Sequence, residues 1–315
     1  MTHRKAGARL AAALLGIALV FTACGGGGDG SGGGEGGDLS GSIAIDGSST
    51  VAPISEAIAE EFQAEASGVD VAVGTSGTGG GFKKFCNEEI DIADASRAIK
   101  QEEIDACKAN GVEFTEFRVG LDGLAVVTSA DNEFLECLSY EQLAKLFGEG
   151  GAKTWKQVDP KFPNVEIDTF APGTDSGTYD FFVEEVLGQD TKPRTDYTAS
   201  ENDNTLVQGI EGEENSWGYF GFAYFQANEE RLKDVKVAEE TGGECVEPSA
   251  ENVESGDYPL SRPLFIYVTN TALERPEVKE FVRFYLETTP EIIAEVGYVP
   301  APEQDYEDGL AKLEP

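Results

Sequence analysis

The chain has 315 residues, 59 of them acidic and 23 basic, for a formal net charge of −36 at neutral pH. That imbalance argues against nucleic acid as a partner, because phosphate backbones are bound through clustered Lys and Arg. The one histidine, His3, falls in a leader that reads as removable, which excludes Ser-His-Asp and Cys-His catalysis and His-ligated zinc from the mature chain. No metal site and no cofactor is expected.

Arg4, Lys5 and Arg9 precede an apolar stretch over 10–21, the layout of an export signal and too short to span a bilayer. The stretch ends in Phe21-Thr22-Ala23-Cys24, which is similar to a bacterial lipobox and points to Cys24 as a lipidated N-terminus. Residues 1–23 are therefore read as a signal peptide. Its removal takes three of the 23 basic residues and none of the 59 acidic ones, leaving −39. Residues 24–41 are Gly- and Ser-rich and read as a flexible tether that keeps an extracytoplasmic domain near the membrane. Cys86, Cys107, Cys137 and Cys245 then remain for two disulfides, as expected outside the cytoplasm. Three connectivities are open. Cys86–Cys107 is favoured because the two flank a compact strand-containing segment, with Cys137–Cys245 as the remaining pair.

The rest of the chain alternates strand and helix patterns. A strand is predicted over 42–46, a helix over 53–66 with Ile54, Ile58 and Phe62 at helical spacing, and a strand over 69–73. A helix follows over 79–86, a strand over 90–93 and a helix over 102–109. Apolar runs at 123–128 and 264–269 read as buried strands and as a two-strand hinge. Between them lie a helix over 140–147, a strand over 165–170, a helix over 178–187 and an aromatic run over 217–225. A last helix is predicted over 276–286. The alternation predicts an α/β fold with binding loops at the strand C-terminal ends. It divides into one lobe of 42–124 plus 262–315 and a second of 125–261.

Four strand-to-helix turns carry candidate ligand groups. Gly47-Ser48-Ser49-Thr50-Val51 precedes Pro53, which suits an early helical position. Residues 74–82 are rich in glycine and offer Ser76 or Thr78, without the Gly-Lys-Ser/Thr of a P-loop. Ser96 and Arg97 follow a strand, and Arg97 could offer a planar fork to an oxyanion. Asp175-Ser176-Gly177-Thr178 places hydroxyls and free N–H groups at a helix start. Unpaired amides and the helix dipole make such turns anion sites. Each also has a bland reading as a helix cap or a surface ion pair.

The motifs GSSTVAP (47–53), TSGTGGGFKKF (75–85), DIADASRAI (91–99) and PGTDSGTYDFF (172–182), in this order, resemble the PstS family of phosphate-binding lipoproteins of bacterial ABC importers. The resemblance covers almost the whole mature chain. It implies a two-lobed, type II periplasmic-binding-protein fold that captures inorganic phosphate without chemistry, docks on permease subunits and works as a monomer. It further implies phosphate contacts from Thr50, Val51, Ser76 or Thr78, Ser96, Ser176, Gly177 and Thr178. Many relatives carry an arginine before the Ser-Gly-Thr, where this chain has Ala171-Pro172, and an aspartate near the position of Ser96. Arg97 is expected to supply the guanidinium instead. An acceptor for the phosphate proton is sought in Asp175 or Asp94. Binding of another tetrahedral oxyanion, sulfate or molybdate, is the alternative. A secreted phosphatase and an adhesive lipoprotein are the remaining rivals.

Overall fold

The computed structural model describes residues 39–174, 176–188 and 190–314. The expected signal peptide, Cys24 and nearly all of the tether lie outside these residues, and so does Asp175. In chain order the elements are β1 (Gly41–Gly47), α1 (Ala52–Glu65), β2 (Val69–Thr75), α2 (Thr78–Phe85), β3 (Ile92–Ala95), α3 (Gln101–Ala109) and the long β4 (Phe114–Ser129). There follow β5 (Cys137–Ser139), α4 (Tyr140–Phe147), α5 (Trp155–Val158), β6 (Asp168–Ala171), α6 (Gly177–Phe182), a π-helical turn (Val183–Leu187), β7 (Thr198–Ala199) and α7 (Asp203–Gly212). The chain continues through β8 (Ser216–Gly221), α8 (Phe222–Gln226), β9 (Leu232–Asp234), β10 (Lys236–Ala238) and α9 (Ala250–Ser255). It ends with β11 (Ser261–Thr269), α10 (Asn270–Leu273), α11 (Pro276–Ile292) and α12 (Glu303–Leu313).

A curled sheet runs in the order β2-β1-β3-β11-β4-β8-β6-β7, with β9 also on β4. β4 changes partner midway. Residues up to Gly123 pair antiparallel with β11, and from Leu124 onward the strand pairs with β8. At that change the Leu124 N–H donates to the Leu260 carbonyl at 2.9 Å, so the outgoing and returning segments meet. The apolar side chains divide accordingly. Ile54, Phe62, Phe281 and Tyr285 belong to one cluster, with a smaller one around Phe82 and Tyr267 beside it. Phe147, Trp155, Phe182, Trp217 and Tyr219 belong to another. The result is the expected two-lobed α/β architecture.

Local sequence explains most of the elements. Pro53 stands in the first turn of α1, where no N–H is needed, and Ile54, Ile58 and Phe62 are all buried on one face. Phe62 meets Phe281 of α11 edge-on at 5.2 Å. With eight residues, α2 is too short to persist alone; burial of Phe82 and Phe85 holds it, with Phe82 packing on Tyr267 at 5.0 Å. Cys86 at its end is joined to Cys107 of α3, and Cys137 to Cys245, the pairing favoured from sequence.

Several boundaries differ from expectation. The strand expected over 90–93 lies at Ile92–Ala95, because the register with β1 starts at Ile92 opposite Ile45. The strand expected over 165–170 lies at Asp168–Ala171. The helix over 178–187 is α-helical only to Phe182 and then turns π-helical. The aromatic run divides between β8 and α8, and α11 continues past 286 and through Pro290 to Ile292.

Asp94 on β3 is fully buried. Its Oδ1 accepts the Ser55 hydroxyl at 2.9 Å, and Ser55 also bonds the Tyr285 hydroxyl at 3.0 Å. Oδ2 has no partner among the described residues. Burial pushes the carboxyl up to about 8, against the Ser55 hydrogen bond and with help from the charges of Asp46 and Glu56. A carboxyl whose folded pKa is raised binds more protons folded than unfolded, so its contribution to stability falls as pH rises from the unfolded value of 3.8 toward about 8. Asp94→Asn should therefore raise the thermal midpoint relative to the parent, by about 2–4 °C or more. The gain should grow from pH ~5 to pH ~8 when followed by circular dichroism; a gain that does not change with pH would contradict a neutral, buried Asp94.

Candidate functional site

Two close backbone approaches assemble the loops of the first lobe. Gly47 ends β1 at φ +145°, and a Cβ there would lie 2.2 Å from the Asp94 carbonyl. Gly81 in the first turns of α2 brings its would-be Cβ to 2.6 Å from Gly47 Cα. Only glycine permits either contact, and through them the β1–α1 loop, the start of α2 and the end of β3 share one rim. In the β1–α1 loop the Ser48 N–H donates to the Asp94 carbonyl at 2.9 Å and the Ser48 hydroxyl accepts from the Thr50 N–H at 3.2 Å. Val51 buries its side chain in the lobe core, so only its backbone is available to a ligand.

The rim opens on a cleft of ≈ 430 Å³, lined by Ser48, Ser49, Thr50, Gly77, Thr78, Gly79, Ser96, Arg97 and Lys100 from this lobe, by Asp180, Val183, Glu184 and Gly188 from the other, and by Arg262. Thr78 and Ser96 are coupled: their hydroxyls are 3.1 Å apart, and the Ser96 N–H donates to Thr78 Oγ1 at 3.2 Å. Ser76 turns away from the cleft. Its hydroxyl donates to Asp46 at 2.5 Å, beside the Lys84 ammonium at 2.6 Å. Burial opposes ionisation of Asp46, but these two donors hold its carboxyl below the usual range. Of the two donors expected from the glycine-rich loop, Thr78 is the one that faces the cleft.

Across the cleft Ser176 caps α6, its hydroxyl accepting the Thr178 N–H at 3.2 Å. A Cβ on Gly177 would lie 3.1 Å from Thr50 Oγ1 and 3.2 Å from Thr50 Cα. The Ser176-Gly177-Thr178 turn therefore rests directly on the Thr50 loop of the opposite lobe. Ser49 reaches across as well, its hydroxyl 3.5 Å from Asp180 Oδ2.

The arginine nearest this junction is one the sequence motifs did not single out. Arg262, at the start of β11, is opposite Asp122 of β4 in the antiparallel register, and Nε and Nη2 each lie 3.2 Å from Asp122 Oδ2. Nη2 donates to Thr50 Oγ1 at 3.0 Å, the guanidinium carbon stands 3.9 Å over the Phe181 ring of α6, and Nη1 is 3.7 Å from Glu184. The side chain is 13% exposed and that of Asp122 2%. Burial raises the pKa of Asp122, and the adjacent guanidinium counteracts this. One cation thus touches a strand from each side of the chain crossover, the first lobe's hydroxyl loop and the second lobe's helix.

Arg97 lines the same cleft but is engaged. Nη1 and Nη2 form a two-point ion pair with Glu103 at 2.9 and 2.8 Å, over the Phe82 ring at 5.6 Å. Burial works against the charge on Glu103, yet Arg97 and the Lys100 N–H keep its carboxyl below the usual range. The expectation that Asp94 accepts a ligand proton is corrected: Asp94 Oδ1 accepts the Ser55 hydroxyl, which also meets Tyr285, and Asp94 does not line the cleft. Asp175 lies outside the described residues. Among the described residues, the carboxylates that line the cleft are Asp180 and Glu184. Sequence reasoning missed Arg262 because its signal is a pairing with a strand position 140 residues away; the local cue was an arginine opening a buried strand just before Pro263.

A PBP superfamily domain model matches residues 33–289. Protein SphX of Synechococcus elongatus is 45% identical over 310 residues, which is 97% of this chain and 89% of that protein. The phosphate-binding protein PstS of Staphylococcus saprophyticus is 39% identical over 303 residues, 95% of this chain and 92% of that protein. Among solved structures, a possible phosphate binding protein from Planctomyces limnophilus superposes with a TM-score of 0.85 at 46% identity, covering 88% of this chain and 100% of that one. The chain belongs to the PBP superfamily and, within it, to the family of the SphX and PstS proteins.

Proposed function

We propose that this protein is the extracytoplasmic phosphate-binding component of an ABC importer, capturing inorganic phosphate between its lobes and delivering it to permease subunits. The observation that carries this reading is Arg262, a mostly buried guanidinium that meets Thr50 of one lobe and Phe181 of the other, among hydroxyl and amide donors. Such a set supplies charge-assisted hydrogen bonds to a tetrahedral oxyanion and needs no reaction at the anion. Relatives named phosphate-binding protein PstS at about 40% identity support phosphate as that anion.

In this reading Thr50, the Val51 N–H, Thr78 and Ser96 hold the ligand from a lobe of 42–124 plus 262–315, and Ser176, Gly177 and Thr178 hold it from a lobe of 125–261. Arg262 takes the role that the sequence assigned to Arg97. Because the anion bridges both lobes, its binding favours the closed form, with the hinge at the crossing of β4 and the segment entering β11. The chain acts as a binding protein and not as an enzyme, works as a monomer, and is anchored by lipid on Cys24.

Arg262→Lys keeps a charge opposite Asp122 but loses the fork, and should weaken phosphate binding about tenfold or more, since each hydrogen bond to a charged group contributes ~1.5–3 kcal/mol. Arg97→Ala, which removes a side chain already held by Glu103, should change affinity by less than about threefold. Isothermal titration of both variants decides between the two arginines: a collapse of binding in Arg97→Ala with Arg262→Lys unaffected would reverse the assignment. For the anchor, Cys24→Ser in cells should move the protein from the membrane fraction to the soluble fraction; retention in the membrane fraction would remove the lipid from the proposal.

A further inference from the structure

We propose that Phe181 is the positioning residue that couples closure of the two lobes to assembly of the anion site: its ring seats the Arg262 guanidinium, and that stack sets how long phosphate is retained. This rests on the phosphate reading above and adds to it the residue that fixes the cation in place.

Helix α6 divides its aromatic side chains between two tasks. Successive helical residues point about 100° apart, so Phe181 and Phe182 do not share a face. Phe182 enters the core of its own lobe, stacked on Tyr219 at 4.0 Å and edge-on to Phe147 at 5.3 Å, and Tyr179 meets Phe147 at 6.1 Å. Phe181 instead carries the Arg262 guanidinium over its ring, with the guanidinium carbon 3.9 Å from the ring centre. The ring is 2% exposed, so the contact is largely shielded from water, the condition under which a cation over an aromatic face contributes most. Phe181 is not among the residues lining the cleft. It acts through Arg262 and not on the anion.

Apart from the ring, the guanidinium is held along one edge. Nε and Nη2 lie 3.2 Å from the same oxygen of Asp122, and Nη2 donates to Thr50 Oγ1 at 3.0 Å. Nη1 carries two further N–H groups, makes no hydrogen bond among the described residues and lies 3.7 Å from Glu184. Glu184 has a side chain 68% exposed and offers the guanidinium a rival, wetter seat. An edge contact alone lets the plane tilt toward it; a ring against the face stops that tilt.

In the lobe division proposed above, Thr50, Asp122 and Arg262 belong to one lobe and Phe181 to the other. The stack therefore forms only as the lobes come together. A contact present in the closed form and absent from an open one raises the closed population, and apparent affinity scales with that population. Its loss should be felt mainly as faster release, as for most changes at one interface.

The test replaces Phe181 by pentafluorophenylalanine, which keeps the outline of the ring but reverses its quadrupole. Phe181→Leu is the second variant, and Phe182→Leu is a control in the same helix. Binding of inorganic phosphate to the purified chain is followed by isothermal titration and release by stopped flow. Both changes at position 181 should weaken binding about three- to thirtyfold, the span from an exposed to a desolvated cation–π contact, chiefly through faster release. Phe182→Leu should lower the thermal midpoint and leave affinity unchanged. A fluorinated ring that binds and releases phosphate as the parent does overturns the proposal, as does a loss of affinity in Phe182→Leu equal to that in Phe181→Leu. Absence of phosphate heat in the parent removes the phosphate reading and this coupling with it, whereas a parent that binds and variants at 181 that match it remove the coupling alone.

Discussion

Arg262 and Asp122 meet where β4 exchanges one strand partner for another, and most of the site's organisation follows from that pair. A buried charge is tolerated only with a partner, and removing one member of such a pair leaves the other uncompensated at a cost of ~3–5 kcal/mol. The pair therefore pins β11 to β4 at the crossover between lobes. It also leaves the outer face of the guanidinium free to reach Thr50 on one side and to stack on Phe181 on the other. A single side chain couples the integrity of the hinge region to the contents of the cleft.

An acidic protein that takes an anion must do so locally. The overall charge of −36 opposes approach, although salt screens it beyond about 10 Å at 0.1 M. Close in, the attraction comes from groups held by tertiary structure. Gly47 and Gly81 allow two loops to touch, the Thr78–Ser96 pair fixes two hydroxyls, and the Ser176 cap sets the first turn of α6 against Thr50. The Cys86–Cys107 bond ties the short α2, whose first residue is Thr78, to α3, whose Glu103 holds Arg97. Fixed donors of this kind need little reorganisation on binding, which is how modest individual hydrogen bonds yield useful affinity.

The fold and the loops were largely legible in the sequence because both leave short-range marks. Ile54, Ile58 and Phe62 announce α1, and the glycine and hydroxyl clusters announce the turns around the cleft. Arg262 was not legible, since its meaning depends on a register between strands far apart in the chain. Asp94 was misread for a related reason: in a four-residue strand buried on both faces, alternation does not say which side a carboxylate takes, and the hydroxyls of Ser55 and Tyr285 decide it. The expected helix over 178–187 carries no proline or glycine before Gly188 to mark the change at Phe182, so the π-helical turn that presents Glu184 had no local signal.

A crystal structure of the chain with phosphate bound is the most direct measurement of the bridged anion site. The arrangement described here predicts one phosphate within hydrogen-bond distance of the Arg262 guanidinium, the Thr50 hydroxyl and the Ser176-Gly177-Thr178 turn. Phosphate held by Arg97 without Arg262, or by the groups of one lobe alone, would contradict it.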